Sequence, residues 1–310
     1  MGTNNFIKNK KFLILGGSGF VGKSITEILL SYGARVVVLT RNSNKIKPLK
    51  VSGYPGQLEI ISGNIFEDGL LELLIKDKFA VINLCGVLYE KNKDEFNTIH
   101  NFLPDMISKL CKRHNVKKFV HISALGVSKD SSSKYSLTKA LGEENIKKNF
   151  TSSIILRPSI IYGNGDNFFG LFSKISKFAP VIPIIGPNTM FQPVYVNDVA
   201  LAVIETLKIN NNKPKIFNIC GPKQYSFYEL IKILLSFLKR KRILIKVNPK
   251  LMMFPGLVLQ NFPNPPFTYD QMKLLLRDNV SDGLYPELED LKIKPVLLDT
   301  KLKELINFYS

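Results

Sequence analysis

The feature of this sequence that most constrains its fold is a glycine turn between an apolar strand and a helix. The turn follows the apolar run 11–15, precedes the helical pattern 23–32 and includes Phe20 and Val21. Its glycines have the spacing G-x-x-G-x-x-G: Gly16, Gly19 and Gly22. Such glycines permit a tight turn, let a pyrophosphate approach the backbone and let the helix pack closely on the strand. The free N–H groups and positive dipole end of the helix would hold the diphosphate, so the turn predicts a dinucleotide site.

The residues at the end of the second predicted strand, 35–40, indicate which dinucleotide is bound. Chains that select NAD usually carry an acidic residue about 20 residues past the glycines, where it accepts from the ribose hydroxyl. The stretch 36–42 contains no acid, and Arg41 stands where a guanidinium would clamp a 2′-phosphate. We therefore expect NADP(H) to be preferred over NAD(H). The alternative for Arg41 is an ordinary solvated loop residue.

The composition indicates a globular protein. The 310 residues are 45% hydrophobic, which is enough for a large core in one or two domains.

The apolar run 251–259 contains Pro255 and is too short for a bilayer span, so we predict no transmembrane helix. The first ten residues show no cleavable targeting signal. The three cysteines form no C-x-x-C pair and the three histidines have no ligand spacing, which predicts reduced thiols and no metal site.

The formal net charge of +18 raises the question of an anionic partner. Only seven of the 43 basic residues are Arg, and no nucleic-acid-binding motif is present, so we expect no nucleic acid partner. One basic cluster, Lys239 to Arg242, precedes the apolar, Pro-containing segment 243–266. Basic residues beside exposed apolar residues lie on anionic membrane surfaces, which would give peripheral membrane contact. A solvated helix end is an equal alternative.

Apolar strands alternate with amphipathic helices from the glycine turn to residue 156. The predicted strands are 11–15, 35–40, 58–62, 80–84, 118–122 and 153–156. The predicted helices are 23–32, 69–77, 94–114 and 134–149. This alternation predicts an α/β fold with a Rossmann-like doubly wound parallel sheet, whose ligand lies at the carboxyl ends of the strands.

The pattern becomes less regular after Pro158. A strand at 192–196, a helix at 198–207 and a strand at 215–219 are expected to return to the sheet, before helices at 227–238, 269–277 and 301–308. We therefore expect an NADP(H)-binding Rossmann domain made of residues 10–160 and 190–222. Residues 161–189 and 223–310 would form a smaller, discontinuous C-terminal portion for substrate binding or docking.

Tyr135 and Lys139 have the Y-x-x-x-K spacing, which puts both side chains on one helical face. A lysine beside a phenol lowers the tyrosine pKa toward a range useful for proton transfer. The same spacing occurs at three other tyrosines, so position distinguishes this pair. Tyr135 closely follows the fifth strand, and Ser123 ends that strand, where its hydroxyl would polarise a substrate carbonyl. The three residues indicate hydride chemistry; the alternative is a surface helix with an incidental pair.

Together these residues resemble a known family. The glycine turn, the strand end 83–86, the set Ser123, Tyr135 and Lys139, and the segment 156–163 are similar to the extended and atypical short-chain dehydrogenase/reductases of the NAD-dependent epimerase/dehydratase type. Within that superfamily, further segments resemble the NADPH-binding accessory subunits of respiratory complex I: 121–126, 131–135, 165–168, 192–199 and 287–293.

The resemblance implies roles for individual residues. The implied cofactor contacts are Gly16, Gly19, Phe20, Val21 and Gly22 at the diphosphate, Arg41 at the 2′-phosphate, Asn64 at the adenine edge, and Gly86, Tyr135, Lys139 and Pro158 along the rest of the cofactor. Lys139 would bind the nicotinamide ribose and tune Tyr135. The family usually has Asp where this sequence has Asn64. In the complex I group NADPH is bound tightly for a structural role, and the C-terminal portion packs near the quinone site at the membrane surface.

Two functions remain open. The first is an accessory subunit of respiratory NADH:quinone oxidoreductase, located peripherally on the cytoplasmic or matrix-side face of the membrane. The second is an epimerase, dehydratase or reductase that acts on a nucleotide sugar or small carbonyl compound, with Ser123, Tyr135 and Lys139 as catalytic residues. The intact set permits turnover without demanding it, so the sequence leaves open whether the chain is an enzyme. The segment 192–199 and the basic and apolar stretch 239–266 favour the first function.

Overall fold

Short strands and helices alternate along most of the chain. The structure is a computed structural model that describes residues 6–259 and 267–309. The strands are β1 (Lys11–Leu15), β2 (Arg35–Thr40), β3 (Leu58–Ser62), β4 (Ala80–Asn83), β5 (Lys118–Ile122), β6 (Ser153–Pro158), β7 (Ile161–Tyr162), β8 (Val181–Ile185), β9 (Met190–Phe191), β10 (Val194–Tyr195), β11 (Lys215–Ile219), β12 (Tyr225–Ser226) and β13 (Ile243–Val247). The α-helices are α1 (Phe20–Ser31), α2 (Leu70–Ile75), α3 (Glu95–Asn97), α4 (Leu103–Arg113), α5 (Lys134–Asn149), α6 (Phe168–Phe178), α7 (Val196–Leu207), α8 (Phe227–Phe237), α9 (Pro249–Leu259), α10 (Tyr269–Leu274) and α11 (Leu298–Tyr309).

Seven parallel strands form the central sheet, in the order β11-β6-β5-β4-β1-β2-β3. Helices α1 and α7 cover one face, where Ile25 and Val203 are fully buried, and α4 and α5 cover the other with Ile107 and Ile146. Apolar side chains cover both faces, as continuous apolar strands require. The predicted Rossmann-like doubly wound sheet is therefore confirmed. Its strand order reverses between β1 and β4, which opens a crevice at the carboxyl ends of these strands.

A third hydrophobic cluster lies outside the sheet. Its buried side chains come mainly from α6, β8, α8 and α11, and they include Phe169, Leu230 and Leu302. Strands β8 and β13 pair in parallel beside this cluster. The cluster therefore gives the C-terminal elements a core of their own.

The predicted strand 192–196 does not join the central sheet, so this part of the sequence-based prediction is wrong. Only Val194 and Tyr195 are extended, and they pair with Ile161 and Tyr162 of β7. Pro193 has no N–H to donate to a ladder, and α7 begins at Val196. The predicted strand 215–219 does return to the sheet, next to β6.

The predicted helix 94–114 is interrupted by a π-helical turn, Thr98–Phe102. Pro104 has no N–H to donate to the carbonyl of His100, four residues earlier, so the regular α-helical pattern cannot continue there. Helix α5 passes close to this carbonyl. A Cβ atom on Gly142 would lie 1.9 Å from the His100 oxygen, so only glycine fits at this crossing.

Half of the basic cluster 239–242 is used inside the protein. The Arg240 guanidinium donates to the carbonyl of Ser173 and to the hydroxyl of Ser176, both at 2.8 Å, and Arg242 donates to the carbonyl of Ser176 at 2.8 Å. These bonds satisfy groups near the carboxyl end of α6. The end of the apolar segment, 260–266, lies outside the described residues. Among the residues that the structure describes, no helix has both the length and the apolar character needed to cross a membrane.

Candidate dinucleotide-binding site

The glycine turn lies at the carboxyl end of β1, beside the reversal point of the sheet. Gly16 has φ +82°, and a Cβ atom there would lie 3.1 Å from the carbonyl carbon of Leu84. A Cβ atom on Gly22 would lie 2.5 Å from the Cα of Gly17, so the first turn of α1 rests directly on the glycine loop. Gly19 is the residue at the N-cap of α1, and as a glycine it supplies no side-chain cap to this helix start. The N–H groups of the first turn therefore remain available for an anionic ligand.

The ends of β1 and β2 are joined by side-chain hydrogen bonds. The Thr40 hydroxyl donates to the Ser18 hydroxyl at 2.7 Å, and the N–H of Asn42 donates to Thr40 at 3.1 Å. These bonds hold the loop that carries Arg41 against the glycine turn. Arg41 is exposed and forms no ion pair with any residue in the described ranges. Its guanidinium is therefore available to a ligand beside the turn.

Asn64 follows β3 at the outer edge of the same crevice. Its side-chain oxygen accepts from the N–H of Phe66 at 3.1 Å, which forms an Asx turn, and the residue is exposed. Part of the carboxamide is therefore used to hold the loop. The predicted adenine contact stays a prediction.

The end of β4 presents a set of hydrogen bonds that the sequence alone did not reveal. The Asn83 side-chain oxygen accepts from the N–H of Cys85 at 3.1 Å, and its nitrogen lies 3.1 Å from Nδ1 of His121. Asn83 therefore donates to Nδ1, and the neutral His121 ring carries its proton on Nε2. Burial and the nearby charge of Lys139 keep the pKa of His121 well below its usual range.

His100, in the π-helical turn, shapes the next part of the crevice. Its Nε2 accepts from the N–H of Val87 at 3.1 Å, and its Nδ1 lies 3.3 Å from the Thr138 hydroxyl. A Cβ atom on Gly86 would lie 3.7 Å from this Nε2 and 3.7 Å from the Lys139 ammonium. The loop after β4 is thus held against α5, and Gly86 faces both groups.

Lys139 is buried at the centre of the site. Its ammonium donates to the carbonyl of Ile122 at 3.5 Å and lies 5.6 Å from the centre of the Tyr135 ring. Burial lowers the pKa of Lys139 to about 8, and the Glu143 carboxylate opposes this change. Glu143 also forms a bidentate pair with Arg157, at 2.9 and 2.6 Å. The predicted ribose contact of Lys139 stays a prediction.

The predicted lowering of the Tyr135 pKa is wrong for this structure. Burial raises the pKa of the Tyr135 phenol, and no charge offsets that effect. The ammonium of Lys139 lies over the Tyr135 ring, and burial lowers the pKa of this ammonium to about 8. The ring packs edge-on against His100 and Phe96. Tyr135 is therefore held as a neutral phenol at the crevice.

Two buried polar atoms point to a ligand at this edge. Nε2 of His121 and the hydroxyl oxygen of Ser123 have no hydrogen-bond partner within residues 6–259 and 267–309, although the two residues are only 1% and 4% exposed. Alternate residues of a strand share one face, so both atoms lie on the α5 side of β5. Buried donors of this kind are normally satisfied, which fits a site that takes a polar ligand. In the sequence, His121 could have been recognised as a site residue from its position two residues before Ser123.

The structure brings the predicted residues to one crevice in two groups. Gly86, Ser123, Tyr135 and Lys139 lie around β4 and β5, while Arg41 and Asn64 lie beyond the glycine turn at β2 and β3. Pro158 ends β6, next to β5, and its carbonyl accepts from the N–H of Leu125 at 2.9 Å. Phe20 and Val21 are half-buried at the start of α1. This arrangement fits an extended dinucleotide with its diphosphate at the glycine turn.

The cysteines and acidic residues give no sign of a metal centre. Cys85, Cys111 and Cys220 are free thiols, and burial raises the pKa of Cys85 to about 12. Within residues 6–259 and 267–309, no three His, Cys, Asp or Glu side chains are grouped so that they could hold a metal ion.

Comparison with known proteins gives relatives along almost the whole chain. The chain is 29% identical over 296 residues to the mitochondrial NADH dehydrogenase [ubiquinone] 1 alpha subcomplex subunit 9 of Mus musculus, covering 94% of this chain and 78% of the relative. It is 28% identical to the subunit of the same name from Dictyostelium discoideum, covering 96% and 84%. The fold is similar to that of UDP-glucuronic acid 4-epimerase from Bacillus cereus, with a TM-score of 0.72, 20% identity, and coverage of 96% and 98%.

Residues 12–220 match the NAD dependent epimerase/dehydratase family. This match spans the glycine turn, β5, the Tyr135 helix and β11, so it contains every residue predicted to contact the cofactor. The family match implies that a nucleotide cofactor is bound, and the chain belongs to the NAD dependent epimerase/dehydratase family.

Proposed function

We propose that this chain is an accessory subunit of respiratory NADH:quinone oxidoreductase, complex I, in which bound NADP(H) stabilises the fold without turning over. The observation that carries this proposal is the similarity to NADH dehydrogenase subunits over 94–96% of the chain. That similarity extends beyond the family match at residue 220 into the C-terminal elements. A shared cofactor-binding fold does not by itself require sequence similarity in the C-terminal elements.

The preference for NADP(H) rests on the loop after β2. Arg41 is exposed beside the glycine turn, and Lys45, Lys47 and Lys50 follow it on the surface without an intervening acid. A 2′-phosphate carries negative charge and would be attracted by this loop, whereas the bare ribose hydroxyl of NAD(H) finds no carboxylate there.

A structural role for the cofactor agrees with the state of Tyr135. Burial keeps its phenol neutral, which supports a role for Lys139 in binding a ribose rather than in activating that phenol. Residues 10–160 and 190–222 would form the cofactor-binding part. Residues 161–189 and 223–310, which supply most of the third hydrophobic cluster, would form the docking part.

The docking part has an exposed apolar surface. Ile243 and Ile245 on β13 are 65% and 49% exposed, and Leu251 and Phe254 on α9 are 72% and 74% exposed. We define these four residues as the apolar docking surface. It would face other complex I subunits near the quinone site, at the cytoplasmic or matrix-side face of the respiratory membrane, with peripheral membrane contact. Large exposed apolar groups of this kind commonly mark interaction sites.

Native electrophoresis of solubilised membranes tests this proposal. The chain should co-migrate with NADH dehydrogenase activity, and a variant with Phe254→Lys and Ile245→Lys should migrate apart from it. A matched control is Leu284→Lys, a change at an apolar residue that is 78% exposed outside the apolar docking surface. Recovery of the unaltered chain solely as a soluble monomer or dimer would overturn the proposal.

The alternative function is an epimerase, dehydratase or reductase for a nucleotide sugar or small carbonyl compound. The observation that favours it is the Ser123 hydroxyl, which has no partner in the described part of the chain and lies at the same edge of the sheet as Tyr135 and Lys139. In that function Ser123 would polarise the substrate oxygen, and Tyr135 would transfer the proton. Stoichiometric nucleotide and substrate conversion by the purified chain, abolished by Tyr135→Phe, would establish this alternative.

A further inference from the structure

The start of α5, the helix that carries Tyr135 and Lys139, is capped by a residue from the C-terminal part of the chain. The Asp270 carboxylate accepts from the N–H of Lys134 at 2.8 Å and from the N–H of Tyr135 at 3.1 Å. It also accepts from the hydroxyl of Ser133 at 2.7 Å. A carboxylate at this position satisfies the free N–H groups of the first turn and interacts favourably with the helix dipole.

Asp270 is itself fixed on a short, well-capped helix. Thr268 and Gln271 form a reciprocal capping box at the start of α10. Two further bonds join α10 to the cofactor site: Lys273 donates to the carbonyl of Ser132 at 2.8 Å, and Gln271 donates to the carbonyl of Leu88 at 3.4 Å. Helix α10 thus holds both the start of α5 and the loop that follows Gly86.

Helix α10 also contacts the helix that carries half of the apolar docking surface. A Cβ atom on Gly256 of α9 would lie 3.3 Å from the backbone nitrogen of Tyr269 and 3.5 Å from the Met272 side chain. Met272 is only 2% exposed, so α10 is anchored as well as hydrogen-bonded. A continuous set of contacts therefore runs from Lys139 through α5 and Asp270 to α9.

We propose that Asp270 is a positioning residue that couples the dinucleotide site to the apolar docking surface. Bound NADP(H) would hold α5 in place through Lys139, and α5 would hold α10 through Asp270. Because coupling between two sites is reciprocal, ordering of α9 and α10 by a partner strengthens cofactor binding by the same factor. This inference rests on the proposed function. It gives the bound cofactor a role, which is to order the apolar docking surface.

The test measures NADPH affinity and backbone hydrogen exchange on the purified full-length chain. We expect Asp270→Ala to weaken NADPH binding about tenfold, since a helix cap with charged hydrogen bonds is lost, and Asp270→Asn to weaken it about threefold, since one acceptor oxygen remains. NADPH should slow exchange in α9 and α10 of the unaltered chain, and this protection should be lost in Asp270→Ala.

Asp278→Asn is the matched control. Asp278 lies in the same part of the chain, and its carboxylate also accepts from a backbone N–H, that of Met190 at 2.8 Å, which is outside α5. This variant should bind NADPH within about twofold of the unaltered chain and keep the protection of α10. A purely structural role for Asp270 would lower the exchange protection of α10 equally with and without NADPH.

The outcomes separate this inference from the proposed function. NADPH binding with no change in α9 and α10 exchange, or equal affinities for Asp270→Ala and Asp278→Asn, would overturn the coupling alone. Intact coupling in a chain that never co-migrates with NADH dehydrogenase activity would overturn the proposed function alone. Failure to bind either NADPH or NADH would overturn both.

Discussion

The cofactor crevice and the C-terminal part of this chain differ in whether their buried polar groups have hydrogen-bond partners. In the crevice, Nε2 of His121 and the hydroxyl of Ser123 have no partner among the described residues, and Lys139 is a buried ammonium whose pKa is lowered to about 8. In the C-terminal part, the Tyr309 hydroxyl lies within hydrogen-bonding distance of the Asp166 carboxylate and of the carbonyl of Gly163. The first region is arranged to receive a polar ligand, while the polar groups of the second are used to hold its own elements together.

This difference separates cofactor binding from substrate binding. Asp166 accepts from two backbone N–H groups, of Phe169 at 2.7 Å and Gly163 at 3.1 Å, besides the Tyr309 hydroxyl. Arg240 is likewise occupied by carbonyl and hydroxyl groups of α6. These charged groups of the C-terminal part are not free to recognise a substrate. This arrangement agrees with the proposal that the cofactor has a structural role.

The largest predicted effect compares two helical glycines, one in each region. Gly142→Ala in α5 would place a Cβ atom 1.9 Å from the His100 oxygen, a backbone atom that cannot move alone. We expect a loss of about 3 kcal/mol or more in the free energy of unfolding. Gly170→Ala in α6 meets nothing within 4 Å and should stabilise the chain by about 0.5–1 kcal/mol. Chemical denaturation of both variants checks this, and equal effects would contradict the close packing of α5.

The second prediction concerns the buried charge of Lys139. Its pKa is lowered from 10.5 to about 8 in the folded state, so the unfolded chain binds more protons between these pH values. The free energy of unfolding of the unaltered chain should therefore rise by about 3 kcal/mol from pH 8 to pH 10.5 relative to Lys139→Met. Lys139→Met should also lose NADPH affinity while remaining at least as stable at pH 7.

Lys148→Met, at an exposed lysine of the same helix, is the control for this pH dependence. The free energy of unfolding of this variant should change with pH in the same way as that of the unaltered chain. Parallel curves for Lys139→Met and the unaltered chain would show that the lysine is not buried as described.

The third prediction tests cofactor choice with two arginines at opposite ends of β2. Arg41→Ala should weaken NADPH binding by about 10- to 100-fold through loss of a charged hydrogen-bonded contact, and should leave NADH binding unchanged. Arg35→Ala, at the other end of the strand, should alter neither affinity. Fluorescence titration of both nucleotides measures this. An equal loss for NADH would mean that Arg41 holds the diphosphate or the fold.

The smallest predicted effect is that of Tyr135→Phe. The phenol is neutral and forms no hydrogen bond with a described residue, so its removal should change NADPH affinity by less than about threefold. NADH:quinone activity of membranes should stay unchanged. If that activity were lost while the chain remained assembled in the complex, Tyr135 would take part in catalysis. The proposed difference between the cofactor crevice and the C-terminal part would then be wrong.

The sequence predicted the cofactor region better than the C-terminal part, for physical reasons. Strands β1 to β6 are continuous apolar runs, and a glycine turn between such a strand and a helix is typical of a dinucleotide site. The strand at 192–196 failed because its extended backbone spans only Val194 and Tyr195 and pairs locally. The contact between Asp270 and Tyr135 was not predictable, because 135 residues separate them and nothing in either segment signals the other.

Two further features of the molecule also escaped prediction. The π-helical turn at His100 depends on Pro104 together with the close approach of Gly142, and a helical pattern reveals only the former. The partners of Arg240 and Arg242 lie on α6, more than 60 residues away, so a run of basic residues looked like a surface feature. In each case the deciding contact is tertiary.

The central claim is that a nicotinamide dinucleotide is bound and does not turn over. Its most direct test is to follow the nucleotide bound to this chain, in the purified complex, while the complex oxidises NADH with quinone. We predict one NADPH per chain, unchanged in amount and redox state after many turnovers. Oxidation or exchange of that nucleotide at the rate of the overall reaction would contradict the account.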